Sequence, residues 1–212
     1  MDLSDQRMSY ETDGIDLEAL HDDPIEQFAV WFADAQAGPD GEPYAMVLST
    51  VDDDGWPLGR TVLLRQVDSQ GFVFYTNYNS AKGRAIEATG RAGLTFHWHG
   101  QHRQVHVSGP VARVTDAESD AYFAKRPRGS QLGAWASEQS AEISGRSELE
   151  ERLVEVTERF EGTDVDRPDF WGGYRVEPRW IEFWQGQPSR LHDRVRYIAK
   201  DGGGWARLIL SP

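Results

Sequence analysis

The sequence predicts a mainly β domain of the α+β class, in which an antiparallel sheet or barrel carries peripheral helices. Two patterns lead to this prediction. Segments rich in Val, Leu, Phe and Tyr follow one another in pairs joined by short turns that contain glycine, which is typical of β-hairpins. The helical segments are interleaved with hairpins, and the chain lacks the βαβ rhythm of an α/β fold.

The first half of the chain begins with a polar segment, residues 1–20, whose composition favours a mobile tail. A helix is then expected over residues 24–37, because Asp23 can cap it and Pro24 suits its first position. Its apolar residues also recur at helical spacing. The elements expected next are strands over residues 44–51 and 58–67, a strand through Tyr75 after a turn at 68–71, and a short helix over 80–89.

The second half is expected to hold strands over residues 93–99, 103–115, 174–185, 189–199 and 204–210, and helices over 116–125 and 148–160. Ser147 and Glu150 have the spacing of a capping box, which predicts where the last helix begins. Residues 126–140 are polar, with little hydrophobicity, and we assign no element to them.

The composition bounds the kind of protein. The 212 residues suit one domain, and their formal net charge of −13 opposes binding to nucleic acid or to anionic membranes. It does not oppose binding of a small anion, because a few arginines can still converge on one phosphate. The chain has no cysteine, no long apolar run and a polar N-terminus, so we expect a cytoplasmic protein without disulfides or membrane spans.

Three cations occur in the hairpin region, where most neighbours are apolar: Arg60, Arg65 and Lys82. A buried strand carries a cation only where an anion meets it. In a regular strand Arg60 and Arg65 would point to opposite faces, roughly 16 Å apart along the chain, which favours two separate anion sites. Ion pairs with carboxylates would explain the same pattern equally well.

Histidines and carboxylates also invite a metal interpretation. His97 and His99 share one face of a strand, but no cysteine and no third ligand at a fixed spacing accompanies them. The acidic run at residues 52–54 lacks the further oxygen ligands of a calcium loop and is expected to be a solvated turn. We therefore expect no metal.

Polar side chains alternate with apolar ones on two later strands. Gln104 lies on the polar face of one of them, which suits either a cofactor wall or a plain exposed face. In the segment RLHDR, Arg190, His192 and Arg194 are spaced by two and are expected to share a face. Three potentially cationic groups on one face would repel one another. They are tolerable if they are solvated or if a flat, anionic molecule covers them.

Several segments, in this order, resemble the pyridoxamine 5′-phosphate oxidase family of FMN enzymes: RTVLLR, GFVFYTNYNSAKG, RQVHVSG, YFAKRPRGSQLGAWASEQS, WGGYRVEP, IEFWQG and RLHDR. The similarity extends from about Arg7 to Arg194, which is nearly the whole chain. Several long segments in the correct order are far more specific than any single motif.

The resemblance implies a split β-barrel of the FMN-binding type, formed by residues 21–212 as a single domain, and a homodimer with FMN at the subunit interface. It implies that Arg60 and Lys82 bind the FMN phosphate. The further FMN contacts that it implies are Thr61, Val62, Leu63, Leu64, Arg65, Tyr75, Thr76, Gln104, Gln139, Ser140, Trp184 and Arg194.

The implied substrate is a phosphorylated B6 vitamer, with O2 as the second reactant. The residues implied to bind its phosphate are Arg65, Tyr122, Arg126 and Ser130. Those implied to lie near its ring are Arg190, Leu191 and His192, of which Arg190 and His192 are the catalytic pair. Arg7 and Tyr10 match a segment that can close over the site, so residues 1–20 are expected to be a mobile lid.

The implied reaction transfers a hydride from C4′ of pyridoxamine or pyridoxine 5′-phosphate to the flavin, and oxygen then accepts the electrons and yields H2O2. Three positions depart from the family pattern: Arg65 replaces a lysine, Ala81 replaces a basic residue before Lys82, and the C-terminus WARLILSP is altered. The first change replaces a point charge with a planar fork, and the second removes one expected phosphate contact.

Two other functions fit a fold of this type. One is an oxidase that acts on another substrate, as in phenazine synthesis, although Tyr122, Arg126 and Ser130 would then have no phosphate to bind. The other is a protein that binds flavin, haem or pyridoxal phosphate without catalysis.

Overall fold

The computed structural model describes residues 1–5 and 8–212 of the chain. Its α-helices are α1 (Pro24–Ala37), α2 (Ala81–Thr89), α3 (Asp116–Ala124), α4 (Arg128–Ala136) and α5 (Arg146–Arg159). Its strands are β1 (Ala45–Val51), β2 (Pro57–Leu63), β3 (Gln66–Asp68), β4 (Gly71–Asn77), β5 (Arg91–Trp98), β6 (Arg103–Arg113), β7 (Trp171–Val176), β8 (Trp180–Gln185), β9 (Asp193–Ala199) and β10 (Trp205–Leu210).

All strand pairs are antiparallel, and they form one curled sheet in which the principal order is β10-β9-β8-β6-β5-β1-β2. The long strand β6 divides the sheet. Its first part pairs with β8, while its last residues pair with β7, which leads on to β4 and β3. This arrangement confirms the predicted antiparallel barrel with peripheral helices, and the split occurs where β6 changes partner.

The core lies on the inner face of the curled sheet. Alternating residues of β6, β8 and β9 point inward and are almost fully buried, among them Val105, Phe183 and Tyr197. Helix α1 closes one side of this core through Phe28 and Trp31. A second, smaller core lies beneath α3, α4 and α5 and consists of Phe123, Leu132, Ala134, Phe160, Val165 and Trp171.

Local capping explains why several helices begin where the sequence predicts. Asp23 Oδ1 accepts a hydrogen bond from the backbone N–H of Ile25 (2.8 Å), and Pro24 occupies the first turn of α1. Ser80 Oγ accepts one from Gly83 (3.2 Å) at the start of α2. In α3, Thr115 and Glu118 form a reciprocal capping box. These side chains satisfy backbone donors that would otherwise lack partners.

The prediction of a capping box at Ser147 and Glu150 is wrong. Helix α5 begins at Arg146 with Gly145 as its N-cap, so Ser147 lies inside the first turn. Instead, Ser144 donates from both its backbone N–H and its hydroxyl to Glu148 Oε2, at 2.9 and 2.8 Å. Residues 126–140, to which no element was assigned, contain α4. Its helical pattern is hidden in the sequence because α4 has two glycines and, apart from Leu132, buries only small residues.

Three predicted strands are shorter or interrupted. The strand expected over 58–67 breaks at residues 64–65, where the chain leaves β1 and turns to pair with β4. The strand expected over 174–185 is two strands, β7 and β8, because the chain crosses from one partner of the sheet to the other. The strand expected over 189–199 begins only at Asp193, because Ser189 and Arg190 adopt left-handed conformations (φ of 56° and 62°).

The first residues of the chain form no helix or strand where they are described. Part of this segment is nevertheless anchored: Thr12 Oγ1 donates to the carbonyl of Gly186 (2.6 Å), and the backbone of Ile15 donates to Asp193 (2.9 Å). No helix in residues 1–5 and 8–212 is long and apolar enough to cross a membrane.

Gly109 marks the point where β6 changes partner, and it offers a test of this architecture. A Cβ at this position would lie 1.8 Å from the carbonyl oxygen of Glu177, so Gly109→Ala would force the crossing chain away. We expect the free energy of unfolding, measured by urea denaturation, to fall by at least about 2 kcal/mol.

Gly129 provides the matched control. It lies in α4, and no described atom beyond its chain neighbours and the backbone of its own helix comes within 4 Å of an added Cβ. Gly129→Ala should stabilise the protein by roughly 0.5–1 kcal/mol because alanine favours a helix. Equal stabilities for the two variants would contradict the close chain crossing at Gly109.

Candidate functional site

A cleft of about 580 Å³ opens between the end of β2, the strand β4, and the helices α2, α3 and α4. Its described lining residues include no Asp or Glu. They are Thr61, Val62, Leu63, Arg65, Tyr75, Thr76, Asn77, Lys82, Tyr122, Arg126, Pro127, Ser130, Gly133, Ala134, Ser137, Gln139 and Trp171. The cleft is therefore positive in a chain whose net charge is −13.

The cations of the cleft are not neutralised by carboxylates. Within the described part of the chain, the ion pairs involve other arginines and one histidine, and none includes Arg60, Arg65, Lys82 or Arg126. The alternative explanation of strand-end ion pairs is thus not supported for these residues. Cations without a counter-ion in a partly buried cleft are the arrangement expected of an anion site.

Lys82 lines the cleft and forms a first cation pair with Arg60, which lies near it but is not itself a lining residue. Lys82 Nζ donates to Gln139 Oε1 (2.7 Å) and Ser80 Oγ (3.1 Å), while Arg60 Nη1 donates to Thr50 Oγ1 (2.7 Å) and the carbonyl of Leu48 (3.1 Å). Burial, together with the nearby charge of Arg60, lowers the pKa of Lys82 to about 8. Burial also lowers the pKa of Arg60. A bound anion would oppose both shifts by stabilising the charged forms.

Arg126 and Arg65 form the second pair. Burial lowers the pKa of Arg126, and the charge of Arg65 lowers it further. Arg65 follows the end of β2 and is exposed, with its guanidinium 5.5 Å from the ring of Tyr44. The regular strand assumed for Arg60 and Arg65 is thus wrong, because β2 ends between them. The expectation of two anion positions gains support, since each arginine interacts with a different second cation.

The floor of the cleft is aromatic. The rings of Tyr75 and Tyr122 are stacked with centroids 3.9 Å apart, and the ring of Trp171 is parallel to both within 12°. The guanidinium of Arg126 lies 4.4 Å from the centre of the Trp171 ring, and its Nη1 is buried without a hydrogen-bond partner among the described residues. A buried donor of this kind is available to a bound acceptor.

Another wall joins the start of α2 to residues 137–140. Thr76 Oγ1 donates to Gln139 Oε1 (3.2 Å), and the backbone of Ala81 donates to Ser140 Oγ (3.2 Å). Ser140 adopts a left-handed conformation with φ of 74°. The first turn of a helix and the cation of Lys82 thus face the same space, which favours an anion.

Leu64 takes a different place from its neighbours. Thr61, Val62 and Leu63 line the cleft, but the side chain of Leu64 is buried in the main core, and its backbone N–H is bound to the carbonyl of Tyr44 (2.9 Å). Any contact from Leu64 to a ligand would therefore have to come from its carbonyl oxygen.

The remaining predicted site residues gather elsewhere. The register of β6, β8 and β9 places Gln104, Trp184 and Arg194 in one row across the outer face of the sheet. Arg194 Nε donates to Glu182 Oε1 (2.9 Å), and its Nη1 donates to the carbonyl of Ser211 (3.0 Å). Glu182 itself is almost fully buried.

His192 lies beside this row in an aromatic cluster. Its ring is 4.7 Å from that of Trp184 and 5.9 Å from that of Tyr10, and Tyr10 also packs on His102 at 4.5 Å. The backbone N–H of Gln187 donates to His192 Nδ1 (3.0 Å). Because a backbone N–H can only donate, the neutral ring carries its proton on Nε2.

Arg190 and Leu191 precede β9 in an exposed turn. The prediction that Arg190, His192 and Arg194 share one face of a strand is therefore wrong, because only Arg194 lies in β9. Ser189 and Arg190 are consecutive non-glycine residues with positive φ, a costly backbone conformation that is often found at functional sites.

Within one copy of the chain, the cleft is not lined by the predicted site residues on and beside β6, β8 and β9. In the principal sheet order, β8 is separated from β2 by β6, β5 and β1. At a strand spacing of about 4.8 Å, roughly 19 Å along the sheet separates the row that contains Trp184 from the end of the cleft formed by β2. Arg7 lies outside the described residues, so the structure does not place it.

The sequence reasoning missed six residues that line the cleft: Asn77, Pro127, Gly133, Ala134, Ser137 and Trp171. Trp171 is the most informative of them, because it contacts Arg126. Its aromatic character was visible, but nothing in the sequence pairs it with an arginine on another element. Among the residues that the structure describes, no three His, Cys, Asp or Glu side chains are grouped so that they could hold a metal ion.

Two family models match the chain. One, described as pyridoxamine 5′-phosphate oxidase, matches residues 35–160, and the other, described as the pyridoxine 5′-phosphate oxidase C-terminal dimerisation region, matches residues 171–212. The match to the first extends over more than half of the chain and includes the whole cleft except Trp171.

Relatives match over the full length. A pyridoxine/pyridoxamine 5′-phosphate oxidase of Rubrobacter xylanophilus is 54% identical over 100% of this chain and 97% of the relative. One from Synechocystis is 50% identical over 99% of this chain and 98% of the relative.

Solved structures agree with this. PhzG from Burkholderia lata, in complex with tetrahydrophenazine-1-carboxylic acid, is similar with a TM-score of 0.87 and 31% identity, over 94% of this chain and 98% of that chain. A pyridoxamine 5′-phosphate oxidase-related, FMN-binding protein from Nostoc punctiforme shares the fold, with a TM-score of 0.69 and 16% identity over 90% of this chain and 98% of that chain. The chain therefore belongs to the pyridoxine/pyridoxamine 5′-phosphate oxidase family and has its split-barrel fold.

Proposed function

We propose that this protein is an FMN-dependent oxidase that converts pyridoxine 5′-phosphate and pyridoxamine 5′-phosphate to pyridoxal 5′-phosphate, with O2 as acceptor and H2O2 as product. The observation that carries the proposal is the cleft with two cation pairs and no acidic lining residue among those described. Cofactor and substrate each bear one phosphate, and each cation pair can bind one of them.

The residues at the first cation pair fit the phosphate of FMN. Lys82 and Arg60 would bind it, and the N–H groups at the start of α2 add a favourable dipole. Ala81 lacks the basic side chain common in the family, but its backbone N–H is at this same helix terminus. The residues that would hold the rest of FMN from this copy are Thr61, Val62, Leu63, Leu64, Arg65, Tyr75, Thr76, Gln139 and Ser140.

The second cation pair fits the phosphate of the substrate. Arg126 presents a buried Nη1 that has no hydrogen-bond partner in the described part of the chain, and Arg65 brings a second guanidinium towards the same space. Tyr122 and Ser130 add hydroxyl groups on the same wall. A guanidinium at position 65 can bind two phosphate oxygens at once, so the replacement of lysine preserves the charge and adds geometric selectivity.

A second copy of the chain would complete the site. Gln104, Trp184, Arg190, His192 and Arg194 are not among the described residues that line the cleft of their own copy. The chain's similarity to a dimerisation region over residues 171–212 includes β8 and β9, which carry or flank four of these five residues. We infer a homodimer in which each cleft is closed by these residues of the other copy.

Bound FMN would supply the redox chemistry by accepting a hydride from the substrate and passing the electrons to oxygen. The chain's own residues would bind the substrate, orient its ring and hold the proton on His192. His192 presents an Nε2–H donor, because Gln187 occupies its Nδ1. Arg190, held outward by its left-handed backbone, would orient the substrate ring, and Leu191 would contact that ring. Phosphate binding at Arg126 fixes the reacting carbon in place, which is a contribution of proximity.

The N-terminal segment would act as a lid over the completed site. Tyr10 already contacts the ring of His192, and Thr12 anchors the segment to Gly186. Residues 21–212 would then be the single FMN-binding domain, and residues 1–20 the closing segment.

A second candidate is an oxidase of a phenazine precursor, which the similarity to PhzG favours. The substrate class separates the two. A carboxylate ligand without phosphate would leave the cluster of Arg126, Arg65, Tyr122 and Ser130 without its dianionic partner.

Anaerobic reduction tests the proposal. The purified holoprotein should lose its visible flavin absorbance when pyridoxine 5′-phosphate is added without oxygen. The absorbance should return when air is admitted, with release of H2O2. Unphosphorylated pyridoxine should reduce the flavin at least about a hundredfold less efficiently, because it lacks the anion that the arginines bind. A flavin reduced only by tetrahydrophenazine-1-carboxylic acid would favour the second candidate. A flavin reduced by neither compound would indicate a protein that binds flavin without catalysis.

The pKa of Lys82 predicts a pH dependence of FMN binding. With a pKa of about 8 in the protein without ligand, Lys82 loses its charge as the pH rises. The Kd for FMN, measured by quenching of flavin fluorescence, should therefore increase about tenfold between about pH 7 and about pH 9.

Two controls isolate this effect. Lys82→Arg keeps a positive charge over the whole range, so its Kd for FMN should change little with pH. Riboflavin, which has no phosphate, should bind the unaltered protein with no such dependence. A similar rise in Kd for riboflavin would contradict the role of Lys82 at the phosphate.

A further inference from the structure

Trp171, the first residue of β7, lies directly beneath Arg126 in the cleft. We propose that Trp171 is a positioning residue for the substrate phosphate: its indole face holds the Arg126 guanidinium so that the unpartnered Nη1 points at the bound anion. This inference rests on the proposed function of the cleft but concerns a residue whose role is not set by it.

The indole is itself fixed from several sides. Its ring packs edge-to-face on Phe123 at 5.2 Å and parallel to Tyr75 at 5.6 Å. The backbone carbonyl oxygen of Trp171 accepts a hydrogen bond from Arg167 Nη1 (2.7 Å), and Arg167 is ion-paired with two carboxylates of α3. Trp171 is 7% exposed. A side chain held this firmly can define the position of a flexible arginine that rests on it.

An aromatic face is a suitable support for this arginine. It attracts the cation through the electron density of the ring and uses none of the guanidinium N–H groups. A carboxylate in the same place would neutralise Arg126 and take the donors that the phosphate needs. The aromatic support therefore stabilises the charge and leaves its donors available.

Comparison with other arginines of the chain supports this reasoning. Arg103, Arg113 and Arg196 also lie over aromatic rings, at 4.4, 4.0 and 4.6 Å, but each is ion-paired with a carboxylate as well. Arg126 has the aromatic contact without an ion pair among the described residues, and it lines the cleft. The combination is what an arginine reserved for an external anion requires.

Trp135 offers a matched control. It bears Arg159 at 4.5 Å from its ring, again without an ion pair in the described part of the chain. Trp135 packs against the same small core as Trp171 but does not line the cleft. Replacing it removes a comparable tryptophan–arginine contact and disturbs the same core.

The experiment compares Trp171→Leu, Trp171→Phe and Trp135→Leu in the FMN-loaded enzyme. For Trp171→Leu we expect the KM for pyridoxine 5′-phosphate to rise about tenfold, with kcat and the Kd for FMN within about twofold of the original, since a ground-state contact is lost. The inhibition constant of inorganic phosphate should rise by a similar factor. Trp171→Phe keeps a smaller aromatic face and should raise the KM about two- to threefold. Trp135→Leu should leave the KM unchanged.

Several outcomes would overturn the inference. These are an unchanged KM in Trp171→Leu, equal effects of Trp171→Leu and Trp135→Leu, or a KM that rises equally for unphosphorylated pyridoxine. If Trp171→Leu does not fold, the KM of Trp171→Phe decides alone, and no rise at all would count against the inference. If the original protein does not oxidise pyridoxine 5′-phosphate, the proposed function fails, and calorimetric titration with inorganic phosphate decides the role of Trp171 by itself.

Discussion

Positive charge without an internal counter-ion is the constraint on which the rest of the site depends. Lys82, Arg65 and Arg126 line one cleft of a chain with 35 acidic residues, and Arg60 lies close enough to Lys82 to affect its pKa. None of the four takes part in an ion pair among the described residues. Burying a cation is unfavourable unless something compensates it. Neutral groups surround these four: hydroxyls, amides, backbone carbonyls and an aromatic face. These neutral partners leave the positive charge of the cleft uncompensated, and a bound anion would compensate it.

The split of the sheet makes this cleft possible. Strand β2 ends at Leu63, and the chain then turns to join β4, so that Arg65 emerges at the rim of the cleft near Arg126. The outer face of β8 and β9 carries the other group of site residues and faces away from the core. Under the proposed function, a second copy would bring the outer face of β8 and β9 to the cleft, and the match of residues 171–212 to a dimerisation region would then relate to catalysis.

The sequence predicted the parts of the fold that depend on local chemistry. Helix α1 followed from Asp23 and Pro24, and the turn before β4 followed from Gly71, whose φ is 131°. Helix α4 was missed because its buried residues, Leu132, Ala134 and Ala136, do not recur at helical spacing. The left-handed turn at Arg190 was missed because non-glycine residues seldom adopt it. The cations were recognised, but the aromatic support of Arg126 was not, because Trp171 is distant in sequence and its contact depends on how β7 packs against α3.

The most direct test is a crystal structure of the protein with both FMN and pyridoxal 5′-phosphate bound. It should show the FMN phosphate within hydrogen-bonding distance of Lys82 and Arg60, the second phosphate on Arg126 and Arg65, and Arg194 of another copy against the flavin. The account would be contradicted by either phosphate bound outside the cleft, or by carboxylates of the chain occupying either cation pair in the complex.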